Sequence, residues 1–356
     1  MSSLKLNSLE IKNFRAFNDL SINKLGRVNL VVGKNNVGKS SFLEALRIYS
    51  SRNHSEIWKI FSERNEGLYP GIVASFDEDQ QRINTIRYLF YGRKDLDEIT
   101  NKIVIGEIAS QATQLVIQFG WPDRTWIESP YEEEFMDEYR PKLDISFGAN
   151  RKSPDTFTNP VPPEVDAPHV NHVFVPSTGI SSKDIDRLWS NVSLREEEYK
   201  VLDALQIVEP EINKVNILSS PNYDMAHIPY VSIKGNKDPI PLKSLGDGVS
   251  RFFTISLSLV SSSNGFLLID EIGSGLHYSI QYKLWKLIFE GASRLNVQVF
   301  ATTHSNDCVN AFHAAAIDNQ EEGMLIRLEK RGTAIIPILF DEERLTIATR
   351  EEIEVR

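Results

Sequence analysis

The residues of this chain best suited to chemistry sit at the spacing G-x-x-x-x-G-K-S: Gly33-Lys34-Asn35-Asn36-Val37-Gly38-Lys39-Ser40, followed by Ser41. Two glycines let the backbone turn tightly, so amides over Gly33, Asn35, Asn36, Gly38, Lys39, Ser40 and Ser41 converge on one concavity at a helix N-terminus. Such a concavity suits a polyphosphate. Lys39 would reach the β- and γ-phosphates, and the Ser40 hydroxyl would ligate Mg²⁺. The expected ligand is a nucleoside triphosphate with Mg²⁺.

Three more segments carry groups that would complete such a site. Phe266-Leu267-Leu268-Ile269 runs into Asp270 and Glu271, ahead of Gly273 and Gly275. Asp270 would hold Mg²⁺ through its water shell, and Glu271 would orient and deprotonate the attacking water. Val297 to Thr303 ends at His304, whose neutral imidazole could hydrogen-bond the γ-phosphate or that water. Leu245-Gly246-Asp247-Gly248-Val249 offers a second helix start with free amides, although alone it fits an ordinary capped helix equally well. Cys308 reads as a small half-buried apolar residue rather than a catalytic thiol.

The elements that must position these groups are legible from periodicity. Val28 to Val32 is a short apolar strand before the glycine loop, and Phe42, Leu43, Ala45, Leu46 and Ile48 follow with helical spacing. Leu4 to Phe17 reads as a strand and return, with a turn expected at Asn18-Asp19. Val173 to Pro176 resumes strand character, and Ser181 to Leu205 is helical. Ile207 to Leu218 and Tyr230 to Ile233 read as strands, and Ile280 to Ala292 as a helix. Met324 to Leu328 and Ala334 to Phe340 form a hairpin, with a short helix expected near 341–349.

Between the first helix and Val173 the character changes. Ile103 to Gly106 and Leu115 to Phe119 read as a hairpin, and Tyr131 to Glu138 as a solvated acidic face. Asn150 to His169, with Pro154, Pro160, Pro162, Pro163 and Pro168, reads as loop or linker. Residues 51–168 are therefore expected to form an inserted lobe, dividing a nucleotide-binding core into 1–50 and 169–356.

Composition narrows the partners. At 356 residues the chain can bury a substantial core, and a net charge of −10 with a pI near 5.3 argues against a uniformly nucleic-acid-gripping surface. A local basic stripe, with Lys183, Arg187, Arg195 and Lys200, keeps DNA possible. One cysteine fits a reducing compartment. No run approaches 18 apolar residues, so no membrane contact and a cytoplasmic location are expected.

Taken together, the glycine loop, Leu-Gly-Asp-Gly, Leu-Leu-Ile-Asp-Glu with Gly275-Leu276-His277 after it, and Thr-Thr-His-Ser resemble ABC-type ATPase heads. The likeness is nearest to the overcoming-lysogenization-defect (OLD) class without its nuclease domain, with RecF and SMC heads more distant. The opening Ile11-Lys12-Asn13-Phe14-Arg15 is similar to that group's first strand. The resemblance covers residues 4–50 and 170–340 and implies an α/β P-loop NTPase with a mixed central sheet flanked by helices.

It also implies a head-to-head dimer, or a higher oligomer, around two ATP molecules, with Gly246, Asp247 and Gly248 of one copy facing the γ-phosphate of the other. Gly246 stands where many relatives carry Ser, Asp247 where they carry Gly, and Val249 where they carry Gln or Glu. The lost hydroxyl removes one γ-phosphate donor, so slow, switch-like hydrolysis is expected. Gln111, Gln114 and Gln118 are candidates for the glutamine that such heads place near the metal. The Toprim nuclease domain of OLD nucleases is far longer than the roughly fifty residues after His304, so no nuclease activity is expected; Asp341-Glu342-Glu343 reads as surface charge. By analogy with the ATPase subunits of anti-phage systems such as Septu and PARIS, a separate effector, a nuclease, is the expected partner. The alternative is a RecF-like DNA-repair ATPase; a transporter motor is disfavoured.

Overall fold

The computed structural model describes residues 4–66, 84–93, 101–120, 142–152, 169–220, 226–319, 323–341 and 344. The chain begins with β1 (Leu9–Phe14), β2 (Phe17–Ile22) and β3 (Val28–Val32), then α1 (Lys39–Ser51) and α2 (His54–Glu63). β4 (Asn101–Gly106), β5 (Gln114–Gly120), β6 (Lys142–Phe147), β7 (Asn150–Lys152) and β8 (His172–Val175) follow. After these come α3 (Ser182–Ser193), α4 (Glu198–Gln206), β9 (Ile212–Ser220), β10 (Ala226–Ile233) and β11 (Ile240–Pro241). The last part holds α5 (Asp247–Ser261), β12 (Phe266–Ile269), α6 (Tyr278–Leu295), β13 (Gln298–Thr302), α7 (Asn306–Ile317), β14 (Gly323–Arg331) and β15 (Ala334–Phe340).

The apolar runs that precede the chemistry-bearing residues pair as one sheet, in the order β15-β14-β3-β13-β12-β8. β14, β3, β13, β12 and β8 are mutually parallel, and β15 returns antiparallel at the edge. Near-continuous hydrophobic strands are what a parallel sheet covered on both faces requires. Side chains alternate between two cores. Val28, Leu30, Leu267, Ile269, Val299 and Ala301 feed one, packed with Phe252, Trp285 and Phe312 from α5, α6 and α7. Val31, Phe266, Leu268, Phe300 and Ile326 feed the other, packed with Phe42 and Leu46 of α1. The fold is thus a mixed α/β P-loop architecture: a central sheet flanked by helices, with the carboxyl ends of its parallel strands gathered on one edge.

β1 and β2 belong to a second, wholly antiparallel sheet ordered β2-β1-β4-β5-β6-β7. Strands from residues 101–152 therefore extend the sheet begun by residues 9–22, with Ile11 opposite Ile105 and Ile117 opposite Ile145. β9, β10 and β11 form a small third sheet.

The turn after β1 lies at Arg15-Ala16, and Asn18 and Asp19, expected to turn, sit inside β2 with Asp19 opposite Lys12. Burial decides this. Arg15, at φ 48°, turns its guanidinium inward, with Nε 2.9 Å from Glu44 and Nη2 2.8 Å from Glu66. Asn18 and Asp19 are left on the exposed face. Asn150 to Lys152, expected as loop, pair with β6. The strand expected from Ile207 starts only at Ile212, beyond the end of α4 at Gln206. The acidic stretch 131–138, most of the proline-rich stretch and nearly all of 341–349 lie outside the described residues.

His54, at the start of α2, ties that helix to β6: its Nε2–H donates to the Leu143 carbonyl at 2.6 Å. Burial holds its pKa below the ordinary 6.5, outweighing the Leu143 bond and nearby Asp144; His172 is lowered too, also first by burial. The unfolded chain takes up these protons first, so the stability they supply is complete above pH 6.5 and is lost as pH falls below it. Thermal unfolding followed from pH 7.5 to 5 is expected to show a falling melting temperature over that window, with a shallower fall in His54→Gln. Identical slopes would contradict it. Glu44, which burial raises from 4.5, acts in the opposite sense but equally in both proteins.

Candidate active site

The glycine loop, the carboxylate pair and His304 each follow the carboxyl end of a parallel strand, where open α/β sheets bind ligands. β3 ends at Val32 and Gly33 follows with φ 145°. A Cβ there would lie 2.5 Å from the Leu328 carbonyl oxygen and 2.9 Å from Val37, so no side chain fits. Gly38, left-handed at φ 89°, caps α1 and would thrust a Cβ to 2.8 Å from Phe17 and 2.9 Å from Ala16. The glycine spacing is thus dictated by the packing of β14 and the β1–β2 turn against the loop. Asn35 and Asn36 are exposed, as is Ser40 in the first turn of α1, while Ser41 is buried.

Lys39 folds over the loop that precedes it. Its Nζ donates to the carbonyls of Gly33 at 2.8 Å and Lys34 at 3.3 Å, and it lies 3.2 Å from His304 Nδ1. An ammonium has no lone pair, so His304 Nδ1 accepts and the ring proton sits on Nε2. His304 Nε2 lies 3.1 Å from Glu271 Oε1. Lys39, His304 and Glu271 form one chain of contacts across β3, β13 and β12. Burial lowers the Lys39 pKa, opposed by the nearby Glu271 and Asp270 carboxylates.

The two carboxylates are set by the residues behind them. Glu271 adopts φ 48°, a left-handed conformation uncommon for a side-chain-bearing residue. Its N–H donates to Thr302 Oγ1 at 2.9 Å, and that hydroxyl donates to Asp270 Oδ1 at 2.6 Å. Arg251, from the second turn of α5, donates to the carbonyls of Pro176 (2.9 Å), Asp270 (3.0 Å) and Glu271 (3.3 Å). Burial lowers its pKa, against the pull of Asp270. Sequence reasoning missed both Thr302 and Arg251. Their only signals were a hydroxyl closing a largely apolar strand and the single cation of α5.

Gly246, Asp247 and Gly248 stand apart. Gly246 caps α5 at φ 103°, Gly246 and Asp247 are exposed, and Gly248 lies close to the Gly275 carbonyl. Among the described residues no hydrogen bond joins these three to Lys39, Glu271 or His304. Cβ positions built at Gly246 and Gly275 meet nothing within 4 Å, so this surface is open. His277 caps α6, accepting from the Ser279 N–H at 3.4 Å. Gln111, Gln114 and Gln118 belong to the second sheet or the turn before it, and Gln114 bonds Glu10 and the Glu107 carbonyl. Cys308 is buried, and burial pushes its thiol up to about 11, which suits an inert residue.

A family model described as "AAA domain, putative AbiEii toxin, Type IV TA system" matches residues 28–309, a span that holds the glycine loop, α5, the carboxylate pair and His304. The chain belongs to this AAA domain family. An "ATP/GTP phosphatase" of Helicobacter pylori is 24% identical over 336 residues, covering 85% of this chain and 86% of that protein. An uncharacterized protein of Methanocaldococcus jannaschii is 46% identical over 46 residues, 13% of this chain and 21% of that protein. In fold, the AAA domain is similar to an SMC head solved with the C-terminal winged-helix domain of ScpA, at TM-score 0.53 and 14% identity, covering 95% and 99% of the two chains. It is similar also to the Pyrococcus furiosus SMC head bound to the C-terminal domain of ScpA, at TM-score 0.51 and 12% identity, covering 98% and 99%. The chain is an ATPase of this AAA family. Among the described residues no helix is long and apolar enough to cross a membrane.

Proposed function

We propose that this AAA ATPase is a slow, nucleotide-driven switch of the OLD-like class, which pairs with a second copy around two ATP molecules and passes its state to a separate effector. The observation that carries the reading is the Lys39–His304–Glu271 chain, which joins groups 265 residues apart in sequence. A lysine on a glycine loop, an imidazole and a carboxylate within hydrogen-bond reach are what triphosphate hydrolysis needs and a structural ion pair does not.

The loop amides over Gly33, Asn35, Asn36, Gly38, Lys39, Ser40 and Ser41 cradle the phosphates, and Lys39 neutralises the outer two. Ser40 and Asp270 offer a hydroxyl and a carboxylate, hard oxygen donors that fit Mg²⁺, which takes few protein ligands and keeps several waters. When bound, the ion would screen charge on the β- and γ-phosphates. Glu271 takes a proton from water as its oxygen bonds to the γ-phosphorus; the bond to the β,γ-bridging oxygen breaks, and ADP leaves with that electron pair. His304, its Nε2 3.1 Å from Glu271 Oε1, stands beside the base, placed to hydrogen-bond the γ-phosphate or the attacking water. Asp247 and Gly248, at the start of α5, offer amides to the triphosphate of a second copy, with Gly246, whose N–H donates to the Lys243 carbonyl at 3.0 Å, holding the turn before them; without a serine hydroxyl there, hydrolysis is slow.

The division into a core of 1–50 and 169–356 with an inserted lobe of 51–168 belongs to this reading, the lobe being continuous in sheet pairing with β1. A protein effector is favoured over DNA by the pairing of basic side chains on α3, α4 and the turn between them: Arg187 with Asp184, and Arg195 and Lys200 with Glu197. The related SMC heads solved with ScpA domains support a protein partner in kind. An effector nuclease in anti-phage defence, in the cytoplasm, is the setting that the motif resemblance supports. The test is to incubate the purified chain with ATP, Mg²⁺ or Mn²⁺ and plasmid DNA. Slow release of phosphate with intact DNA is expected; metal-dependent cleavage, abolished by Asp270→Asn, would overturn the assignment of a separate nuclease.

A further inference from the structure

We propose that Thr302 is a positioning residue of the hydrolytic site, one hydroxyl that sets both carboxylates at once. The proposal rests on the reading of Asp270 and Glu271 given above.

Thr302 is fully buried at the last position of β13, between the strand that leads to the phosphate loop and the strand that ends in the carboxylates. It pairs with Val31 of β3 and stands two residues before His304. Its hydroxyl has one proton, which goes to Asp270 Oδ1 at 2.6 Å; a lone pair then accepts the Glu271 N–H at 2.9 Å. Its carbonyl accepts the Ile272 N–H at 3.0 Å. The segment 270–272 is fastened to one residue at three points, and two of them depend on the side chain.

Each bond has a consequence. With Oδ1 engaged, Oδ2 of Asp270 is the oxygen left to accept from a metal's bound water when the ion binds. Anchoring the Glu271 N–H supports its left-handed backbone at φ 48°, which aims the carboxylate at His304. The β-methyl restricts χ1 and keeps the hydroxyl in this one arrangement. Valine has the same shape and can make neither bond; serine can make both.

The test compares Thr302→Val, Thr302→Ala and Thr302→Ser with the parent by three measurements: ATP affinity by calorimetry in EDTA, the same affinity with Mg²⁺, and kcat. Outer-shell partners of metal ligands typically govern about 10- to 100-fold in metal affinity or activity. Thr302→Val and Thr302→Ala are therefore expected to lower kcat by about 10- to 100-fold and to lose most of the tightening that Mg²⁺ gives, with affinity in EDTA within about twofold of the parent. Thr302→Ser is expected within about threefold on all three. If valine does not fold, the alanine and serine pair gives the same comparison, alanine leaving room for water. A parental kcat and parental Mg²⁺ effect in Thr302→Val or Thr302→Ala, or equal losses in serine, would overturn the role of the hydroxyl. Parental rates in Asp270→Asn and Glu271→Gln would instead overturn the functional reading itself.

Discussion

Lys39→Ala is expected to abolish measurable ATP binding, weakening affinity by at least about 100-fold, since each charge-assisted bond to phosphate contributes about 1.5–3 kcal/mol. Lys39 is the cation that joins the Gly33 loop to His304, beside Glu271. Its present acceptors, two loop carbonyls and an imidazole, are weaker than a phosphate oxygen, so the ammonium is free to exchange them for a triphosphate. Burial already disfavours its charge, and a tetra-anionic ligand would restore it. Removing it leaves the loop amides, whose geometry the Gly33 and Gly38 packing fixes, without a counter-charge. Calorimetry with ATP checks this, and unchanged affinity would contradict it.

Glu271→Gln is expected to separate binding from hydrolysis. The amide has the size and shape of the carboxylate, so the pocket keeps its form while the base is gone. General-base removal costs about 10²- to 10⁴-fold, and ATP affinity should hold within a few-fold. ATP that is bound and not cleaved should then hold two copies together, which light scattering with and without ATP would detect. Hydrolysis at the parental rate would remove Glu271 from the mechanism.

Much of this arrangement is legible in the sequence because the strands around the site are short, apolar and buried on both faces. Val28–Val32, Phe266–Ile269 and Gln298–Thr302 could be read as strands from composition alone, and the chemistry begins where each apolar run stops. The Arg15-Ala16 turn was not legible, because an arginine that turns inward toward Glu44 and Glu66 depends on partners far along the chain. Periodicity says nothing about such pairings. The pairing of residues 101–152 with β1 was hidden for the same reason: a hairpin's strands reveal their own alternation but not the edge they join. Thr302 and Arg251 escaped notice because their roles are to hold backbone carbonyls, an amide and a carboxylate in position, and no spacing pattern encodes such contacts.

The central claim, that Lys39, Asp270, Glu271 and His304 surround one triphosphate, is tested most directly by a crystal structure of Glu271→Gln grown with ATP and Mg²⁺. The account predicts β- and γ-phosphates on the amides of residues 33–41, Lys39 Nζ turned from the Gly33 and Lys34 carbonyls onto phosphate, and His304 within hydrogen-bond reach of the γ-phosphate. Nucleotide bound elsewhere, or Lys39 still on those carbonyls with ATP present, would contradict it.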